Sequence, residues 1–355
     1  MSSAPHRFEN VGAVVIGRNE GERLVRALRA VVPMVRAVVY ADSGSSDASP
    51  QRAAELGVRV VVIEKPYTAA KGRQAGLEEL LRLAPEVEHV QFIDGDCVLR
   101  EGWLEAGCAL MVRDPRVGAI SGRRREEHPE ATIYNAMVDV DWNARPGAFD
   151  YPGGDSLCRA AALRQIGGWA TDLISGEDPD LGFRLRDAGW SVQRLGDEMT
   201  LHDINMRSFG AYWRRAVRAG YGFLEVGWRH RRGTGRWWLG RVRSAVVYAV
   251  VLPAVLLGAL ASTWPYAWMA GVLAGLLYAR LFWALWRRCR ARGVPPRVAG
   301  AYALANMACK WATLEGAARY LLAAARGRRE AIIEYKRVGP GAGESAAGSA
   351  GGSRP

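Results

Sequence analysis

Asp94 and Asp96 flank Gly95 at the end of an apolar, strand-forming run, VQFI at 90–93. Two carboxylates this close repel each other and resist burial, so a positive charge has to compensate them. A divalent cation held by a few carboxylates and by phosphate oxygens would do so. The plain alternative is a solvated turn, because Asp and Gly are ordinary turn residues. The tripeptide alone leaves both interpretations open.

Two further polar clusters follow apolar runs in the same way. GRNE at 17–20 follows one such run, and DSGSSD at 42–47 follows another. The carboxyl ends of parallel strands meet at one edge of a sheet, and ligands bind there. Three polar clusters at that edge favour one shared site over three independent solvated turns.

The elements around these clusters alternate between strand and helix. Strands are predicted at 12–17, 37–42, 58–64 and 89–94, with helices at 20–30, 46–56 and 69–83. Short apolar strands separated by helices indicate βαβ units and a parallel sheet. Residues 117–210 are more mixed, with a strand at 117–122 and helices at 159–166 and 176–189. The predicted fold class is therefore α/β, with a mixed, mostly parallel sheet and flanking helices.

Composition limits the classes of protein to which the chain can belong. Its 355 residues suffice for a large catalytic domain with an appendage, and its formal net charge is +12. The basic excess is densest at 214–243, which suits nucleic acid, anionic lipid, phosphate-bearing substrates or solvent. The five cysteines lack metal-type spacing, which favours a reducing compartment. Residues 1–11 are predicted to be a tail without an apolar leader.

A pair of apolar segments indicates a membrane hairpin. Residues 244–262 carry no charge and would form a helix of about 28 Å, close to the thickness of a hydrocarbon core. A second apolar run, 266–286, follows after three residues. Both outer ends are Arg-rich and the connecting turn is uncharged, which is the positive-inside pattern of a hairpin with both ends in the cytoplasm. A buried hairpin in a soluble protein is the alternative. Because the arginines border apolar spans, no nucleic-acid partner is expected.

The remaining C-terminal sequence divides into two parts. Residues 298–338 include an apolar stretch with three internal charges, and we predict that it lies on or re-enters the membrane rather than spanning it. Residues 339–355 are rich in Gly, Ala and Ser and are predicted to be disordered. The main boundaries are then a catalytic domain at 12–230 and a transmembrane hairpin with basic flanks at 231–297.

The order of the motifs resembles the family-2 glycosyltransferases of the GT-A fold. The matching pieces are VIGRNEG (15–21), DSGSSD (42–47), FIDGD (92–96), GGDSLCRAAALRQIGGW (153–169) and GEDPDLGFRLRDAG (176–189). The resemblance extends from residue 12 to about residue 225. It implies a membrane-anchored hexosyltransferase that uses a nucleotide-diphosphate sugar and a divalent cation, Mn²⁺ or Mg²⁺.

The resemblance assigns a metal site to the acidic pair around Gly95. Asp96 would coordinate the cation, and Asp94 would face the ribose or the waters of the metal. His202, in TLHDINM, matches a histidine that many related enzymes supply as a further ligand. Imidazole suits Mn²⁺ better than Mg²⁺. A histidine satisfied within the core is the alternative for His202.

The resemblance also implies a nucleotide site. Asp42 matches the position that contacts the base, while Gly17, Arg18 and Glu20 match the loop around the nucleoside. Lys71, in AAKGRQAG, could reach the base or a phosphate. Solvated loop charges are the alternative for the loop residues, and a solvated lysine at a helix start is the alternative for Lys71.

Glu177 and Asp178 match the acidic pair that precedes the acceptor helix of the family. An inverting transferase needs a base that takes the proton of the acceptor hydroxyl. Asp178 is the predicted base, and Glu177 would orient Asp178 or the acceptor. A capping acid at a helix start is the alternative. Gly154 and Asp155 are predicted to contact the acceptor, and Arg214 could meet lipid phosphates.

The predicted function is transfer of a sugar from a nucleotide-diphosphate sugar to a lipid-linked or cell-envelope glycan, at the cytoplasmic face of the inner or plasma membrane. A sugar-phosphate nucleotidyltransferase is one alternative. It would need a Gly-rich basic loop after the first strand, where this chain has GRNEGE. A non-catalytic membrane scaffold is the other, and it would be expected to lack the acidic residues.

Overall fold

The structure is a computed structural model that describes residues 7–233, 235–262 and 265–327. The predicted disordered tail at 339–355 lies outside the described residues, as do the first six residues and positions 328–338. Within the described ranges, nine strands form one mixed sheet in the order β3-β2-β1-β4-β8-β6-β9-β5, with β7 paired to β9. The strands are β1 (Phe8–Gly17), β2 (Val35–Asp42), β3 (Arg59–Val62), β4 (His89–Asp94), β5 (Cys97–Leu99), β6 (Val117–Glu126), β7 (Gly147–Ala148), β8 (Ser156–Arg159) and β9 (Ser191–His202).

The N-terminal half of the sheet is parallel, as the βαβ pattern predicts. Strand β1 pairs in parallel with β2 and β4, and β2 pairs with β3. The register places Asp42 beside Gly17 and Asp94 beside Ile16, so the three polar clusters share one edge. Strand β8 is antiparallel between β4 and β6, and β5 is antiparallel to β9. The α/β class and the mixed sheet are confirmed.

Helices cover both faces of the sheet. They are α1 (Glu22–Val31), α2 (Ser49–Glu55), α3 (Ala69–Leu83), α4 (Trp103–Arg113), α5 (Ile133–Trp142), α6 (Ala160–Ile166) and α7 (Glu177–Asp187). Alternate residues of β1 point to opposite faces. Val11 and Val15 pack in the cluster that includes residues of α1 and α4, and Val14 packs in the cluster that includes residues of α3, α6 and α7. Two buried cores, one on each face of the sheet, therefore hold the strand ends that carry the polar clusters in place.

The C-terminal helices are long and largely apolar. They are α8 (Phe209–Arg229), α9 (Arg236–Val246), α10 (Leu252–Ala261), α11 (Ala267–Arg290) and α12 (Pro296–Ala325). A π-helical turn, Val247–Val251, joins α9 to α10 just before Pro253. Two segments, Trp238–Ala261 and Ala267–Arg290, are long and apolar enough to cross a membrane, and little of either is buried in the protein.

Helix α12 packs along α8 rather than standing apart from the catalytic domain. A Cβ on Gly220 would lie 2.2 Å from the Thr313 carbonyl oxygen, and a Cβ on Gly316 would lie 2.0 Å from that of Val217. The backbones can approach this closely only because both positions are glycine. The apolar pattern predicts a helix here but not this contact.

Several element boundaries differ from the predicted ones. Strand β1 begins at Phe8, inside the predicted tail, because Phe8 pairs with Val35 and donates its N–H to the Met34 carbonyl at 2.8 Å. Strand β3 covers four residues rather than seven. The first apolar helix begins at Arg236 and not at residue 244, so α9 includes the three flanking arginines, Arg236, Arg241 and Arg243, that were predicted to precede the span.

Candidate active site

A pocket of about 530 Å³ opens at the edge where β1 and β4 end. One wall consists of residues that follow these strands, including Arg18, Asp94 and Asp96. The opposite wall belongs to the start of α7, to α8 and to Trp238 of α9. Strand ends and helices thus enclose the same space from two sides.

Two arginines, the buried Arg73 and the partly buried Arg124, balance the carboxylate of Asp94. Arg73 Nη2 lies 2.6 Å from Asp94 Oδ1, and Arg124 Nη2 lies 2.9 Å from Oδ2. Burial raises the pKa of Asp94, but the two guanidinium groups outweigh it and lower the pKa. Thr68 caps α3 by accepting the Lys71 N–H, and this helix carries Arg73 into the site. Asp94 is therefore ionised through its protein partners.

Asp96 and His202 lie side by side because β5 pairs with β9. The register aligns Cys97 with His202, and His202 Nε2 lies 3.2 Å from Asp96 Oδ2. Both side chains are 3 % exposed. On the far side of the ring, Nδ1 lies 3.7 Å from Glu126 Oε2, and the Trp142 ring packs edge-on at 4.6 Å. A carboxylate behind a ligating imidazole is the usual support of a metal-bound histidine.

The donor set at this position fits a divalent cation. Asp96 offers a carboxylate oxygen and His202 an imidazole nitrogen, a combination that suits Mn²⁺. Burial lowers the pKa of His202, which keeps the ring in the neutral form that metals bind. Cys97 Sγ lies near both groups, yet burial raises its thiol pKa well above the ordinary value. The carboxylate and the imidazole are thus the ligands of choice.

Glu177 and Asp178 form the first turn of α7, opposite Asp94. Arg73 Nη1 lies 2.9 Å from Glu177 Oε1, so this one guanidinium joins Glu177 to Asp94. Gly176, at φ +84°, is the N-cap of the helix, and Asp178 therefore is not the capping residue. Burial, followed by repulsion from Glu177, raises the pKa of Asp178 to about 7. Asp178 can exchange a proton near neutral pH.

The outer part of the pocket has the character of a nucleoside site. The Arg18 guanidinium lies 5.1 Å from the Tyr67 ring centroid, and both residues line the pocket. Glu20 lies beside them and is paired with Arg23 at 2.8 Å. An aromatic face and a cation at this edge suit a base and a phosphate.

Comparison with known proteins identifies the family. A family model described as Glycosyl transferase family group 2 matches residues 89–286, and one described as Glycosyl transferase family 2 matches residues 13–163. The first match covers more than half of the chain. The chain belongs to this family. It is a glycosyltransferase, as the resemblance implied.

The similar proteins are distant in sequence. Glycosyltransferase AglE of Haloferax volcanii is 23% identical over 265 residues, covering 70% of this chain and 81% of that protein. The pre-mycofactocin glycosyltransferase of Mycobacterium tuberculosis is 28% identical over 218 residues, 57% of this chain and 44% of that protein. A mannosyltransferase from Pyrobaculum calidifontis, solved with GDP-Man and Mn²⁺, aligns at a TM-score of 0.54 with 20% identity, over 90% of this chain and 89% of that one. The GT-A fold is confirmed.

Most of the predicted site residues of this glycosyltransferase line the pocket. They are Gly17, Arg18, Glu20, Asp94, Asp96, Gly154, Glu177, Asp178 and His202. Gly154 is held by close contact, since a Cβ there would lie 2.3 Å from Arg73 Nη2. The roles predicted for these residues remain predictions, whereas their convergence on one cavity is a property of the structure.

Two of the predicted nucleotide-binding residues are not among the residues that line the pocket. Asp42 is 1% exposed and accepts hydrogen bonds from Tyr40 OH and from the Ser45 N–H. Both carboxylate oxygens accept hydrogen bonds from residues at the end of β2 and in the turn after it, and the contact of Asp42 with the base stays a prediction. Lys71 donates from Nζ to the Lys65 carbonyl at 3.3 Å, outside the pocket lining.

Two of the predicted acceptor residues are also displaced from the pocket. Asp155 has no exposed side-chain surface, and its carboxylate accepts from the Asp94 N–H, from Arg124 and from Thr200. Asp155 holds Arg124 in place through these contacts, and its contact with an acceptor stays a prediction. Arg214 lies outside the pocket lining, whereas Arg215 and Arg218 of the same helix face it.

Sequence reasoning missed the residues that support the acidic groups. Arg73, Arg124, Glu126 and Trp142 each contact a predicted site residue. Arg73 lies two positions after Lys71 in the same motif. On helix α3, Arg73 lines the pocket and Lys71 does not. The other three come from the mixed region 117–210, where the sequence pattern gave no register.

Proposed function

We propose that this glycosyltransferase transfers a sugar, with inversion, from a nucleotide-diphosphate sugar to a lipid-linked or cell-envelope glycan acceptor, and that it depends on a divalent cation. The observation that carries the proposal is that one pocket joins Asp96 and His202 to Asp178. A cation site and a group able to take a proton near neutral pH are the two requirements of this chemistry.

The donor would lie along the strand ends. Arg18 and Tyr67 would contact the nucleoside, and Asp94, fixed by two arginines, would accept a hydrogen bond from the ribose. The lining of the pocket does not by itself identify the base or the sugar of the donor. The mannosyltransferase of similar fold was solved with GDP-Man, which makes a guanosine donor one candidate for this chain.

Asp96 and His202 would hold the cation, Mn²⁺ or Mg²⁺, with Glu126 orienting the imidazole. Once bound, the cation would offset the charge that develops on the departing nucleotide diphosphate. The ring of Trp142 covers His202 and also stacks below Arg124, at 5.2 Å from the guanidinium carbon. These contacts fix the orientation of the imidazole.

Asp178 would act as the base. Its carboxylate takes the proton of the acceptor hydroxyl while the acceptor oxygen bonds to the anomeric carbon. The bond from that carbon to the phosphate oxygen breaks, and the electron pair leaves with the nucleotide diphosphate. A base works best with a pKa near the working pH, and the pKa of Asp178 is about 7. Glu177, held by Arg73, would position the acceptor or Asp178.

The acceptor would enter from the side of the hairpin. Arg215, Arg218, Phe223 and Trp238 line that end of the pocket, and Trp238 opens the first apolar helix. Their basic and aromatic character suits an anionic group on an apolar carrier. We place the hairpin in the inner or plasma membrane with both ends in the cytoplasm, on the charge asymmetry of its flanks.

Donor binding tests the core of this proposal. The purified full chain is titrated with UDP-, GDP- and dTDP-sugars, with Mn²⁺, with Mg²⁺ and with chelator. We expect one donor to bind in the presence of a metal, and its affinity to fall when the metal is chelated. Equal affinity with and without metal would refute the metal dependence.

Thiol labelling tests the orientation. A single cysteine replaces Tyr266 at the hairpin turn or Arg292 beyond α11, in a background without the native cysteines. Both positions are exposed in the structure. An impermeant reagent added outside intact cells should label the Tyr266→Cys variant and spare the Arg292→Cys variant. The reverse pattern would invert the topology.

A further inference from the structure

Two neighbouring residues at the end of α5 contact groups of the pocket. Trp142, the last residue of the helix, lines the pocket and packs edge-on against the His202 ring at 4.6 Å. Asp141 is not among the lining residues, but it pairs with Arg215 of α8, which is one of them. Arg215 Nη1 lies 2.7 Å from Asp141 Oδ2. The same helix end therefore supports a proposed metal ligand and a cation of the pocket.

A third helix takes part in this arrangement. Tyr302 of α12 donates from its hydroxyl to Asp141 Oδ1 at 2.8 Å, so each oxygen of the carboxylate has a partner of its own. Burial, followed by the charge of Asp141, raises the pKa of Tyr302 and keeps the hydroxyl in the form that donates. A chain of contacts thus runs from α12 through Asp141 to a guanidinium at the pocket.

An apolar cluster fixes the three helices around these contacts. Its members include Val138 of α5, Val217 of α8 and Ala312 of α12, each no more than 2 % exposed. Tyr302 and Trp142 pack against the same cluster. A group held by packing and by a hydrogen bond loses little further freedom when a ligand binds nearby. The carboxylate of Asp141 is thus a fixed point from which Arg215 can be oriented.

Arg215 has the chemistry of an anion-binding residue. Its side chain is 29 % exposed, and Arg218, one helical turn later, lines the pocket with it. A guanidinium carries five N–H donors in one plane, so a single group can contact a carboxylate and a phosphate together. A long side chain that is not held pays an entropy cost when a ligand orders it. The contact with Asp141 lowers this cost.

We propose that Asp141 and Tyr302 are positioning residues that hold the Arg215 guanidinium against a phosphate oxygen of a substrate. The inference rests on the proposed function, and it adds α12 to the parts of the chain that serve the reaction. Two substrates carry such an oxygen, the nucleotide-diphosphate sugar and a phosphate-bearing acceptor. Asp141 and Tyr302 act through Arg215 and touch no reacting atom.

Ligand binding to the full chain in phosphatidylcholine nanodiscs tests the role of Arg215. UDP, GDP and dTDP with Mn²⁺ probe the donor side, dodecyl phosphate probes the acceptor side, and dodecanol is the uncharged reference. Arg215→Ala should weaken a phosphate-bearing probe roughly 10–100-fold, as expected for lost charged contacts, and should leave dodecanol binding unchanged. Loss for a nucleotide assigns the oxygen to the donor, and loss for dodecyl phosphate assigns it to the acceptor. Unchanged binding of all these probes would overturn the proposal.

The direction of the effect at Asp141 separates positioning from general charge. Asp141→Asn keeps the shape of the side chain but removes a negative charge beside a pocket cation. A site that works by net charge alone would then bind the affected probe more tightly. We expect binding about tenfold weaker instead, because the guanidinium is no longer held, and about threefold weaker for Tyr302→Phe. Equal or tighter binding by Asp141→Asn would refute the positioning role.

A double-mutant cycle tests whether both residues act through Arg215. In an Arg215→Ala background, Asp141→Asn and Tyr302→Phe should cause no further loss for the same probe, because the group that they hold is absent. Residues that only support the fold would weaken binding by the same factor in both backgrounds. That additive result would count against the proposal even if each single variant were impaired.

Two matched variants serve as controls. Tyr320→Phe makes the same change on α12, where Tyr320 packs against Tyr221, and Asp172→Asn breaks an exposed pair with Arg229 of α8. Neither Tyr320 nor Asp172 lines the pocket, and both variants should bind the probes as the parent does. Failure of the parent to bind any nucleotide with metal would count against the proposed function. Parental nucleotide binding with an additive cycle would count against this inference alone.

Discussion

The two ends of the pocket are built on different principles. At the strand end, Arg73 and Arg124 together match three carboxylates, those of Asp94, of the buried Asp155 behind it and of Glu177 in the first turn of α7. At the helix end, arginines and aromatic rings of α8 and α9 dominate the lining. The first end is a balanced network that holds its shape before any ligand arrives, and the second presents basic and aromatic groups to a ligand.

This difference assigns different tasks to the two ends. A preorganised network loses little on binding and suits precise placement of a nucleotide and a metal. A basic, aromatic surface at the base of two apolar helices suits an anionic amphiphile. Asp178 lies between them, and burial, followed by repulsion from Glu177, raises its pKa to about 7. Substitutions at the two ends of the pocket should therefore impair different parts of the reaction.

The largest effect is expected at the proposed metal site of the balanced end. Asp96→Ala removes the carboxylate that faces His202 and should lower turnover at least about 10⁴-fold, because a metal contributes several kcal/mol to a charged transition state. Activity is measured over a Mn²⁺ titration. Asp197→Ala, at an exposed position of β9, is the matched control and should be active. Saturable Mn²⁺ activation of Asp96→Ala at the parental level would place the metal elsewhere.

Asp178, at the boundary of the two ends, should show a large effect on the rate alone. Asp178→Asn keeps the shape and removes the basicity, so turnover should fall roughly 10²–10⁴-fold while donor affinity holds. In the parent, kcat/KM should fall as the pH drops below about 7, and the variant should lack this acid limb. Single-turnover rates from pH 5.5 to 9 provide the comparison.

A stability measurement provides the control for that variant. The pKa of Asp178 is raised by folding, so the protonated acid is the form that folding favours. Its stabilising contribution is full below the ordinary pKa of 3.8 and is lost progressively as the pH rises from there to about 7. The Tm of Asp178→Asn should therefore exceed that of the parent most at pH 8, and the difference should shrink steadily as the pH falls toward 4. Near-parental turnover would leave Asp178 without a catalytic role and direct attention to Glu177.

A smaller effect is expected behind the metal ligand. Glu126→Gln keeps the hydrogen-bonding shape near His202 Nδ1 but removes the charge that supports the ring. Loss of such a support usually costs about 10–100-fold in metal affinity. The Mn²⁺ concentration for half-maximal activity measures it. Glu127→Gln, at the next position, is the control, and equal Mn²⁺ requirements in both variants would remove Glu126 from the site.

The sequence predicted the balanced end of the pocket better than the other end. Asp94, Asp96 and Gly17 follow strands whose apolar runs are unambiguous, so their meeting at one edge follows from parallel topology. His202 was found only through the family resemblance, because its place beside Asp96 depends on pairing of β5 with β9. Arg73 and Arg124 were missed, since no local pattern tells which face of a helix or strand meets a distant carboxylate.

The helix end was predicted least well, and the reason is physical. Arg214 and Arg215 are neighbours in sequence, yet helical geometry points them about 100° apart, and one reaches the pocket. The approach of α12 to α8 depends on Gly220 and Gly316, far apart in the chain. Long-range packing of this kind leaves no periodic signal.

The smallest effects are expected at Arg18 and Lys71, two cations that the sequence analysis assigned to the same nucleotide site. Arg18 stacks on Tyr67 inside the pocket, whereas the Lys71 ammonium bonds to the Lys65 carbonyl outside it. Arg18→Ala should weaken donor affinity about fivefold, the scale of one partly exposed contact between a cation and an aromatic ring. Lys71→Ala should leave donor affinity within experimental error, because the charge contacts no part of the proposed donor site. Calorimetric titration of both variants with the same donor decides the matter. A loss confined to Lys71→Ala would move the nucleotide to the outer face of α3 and would end the assignment of the strand-end network to the donor.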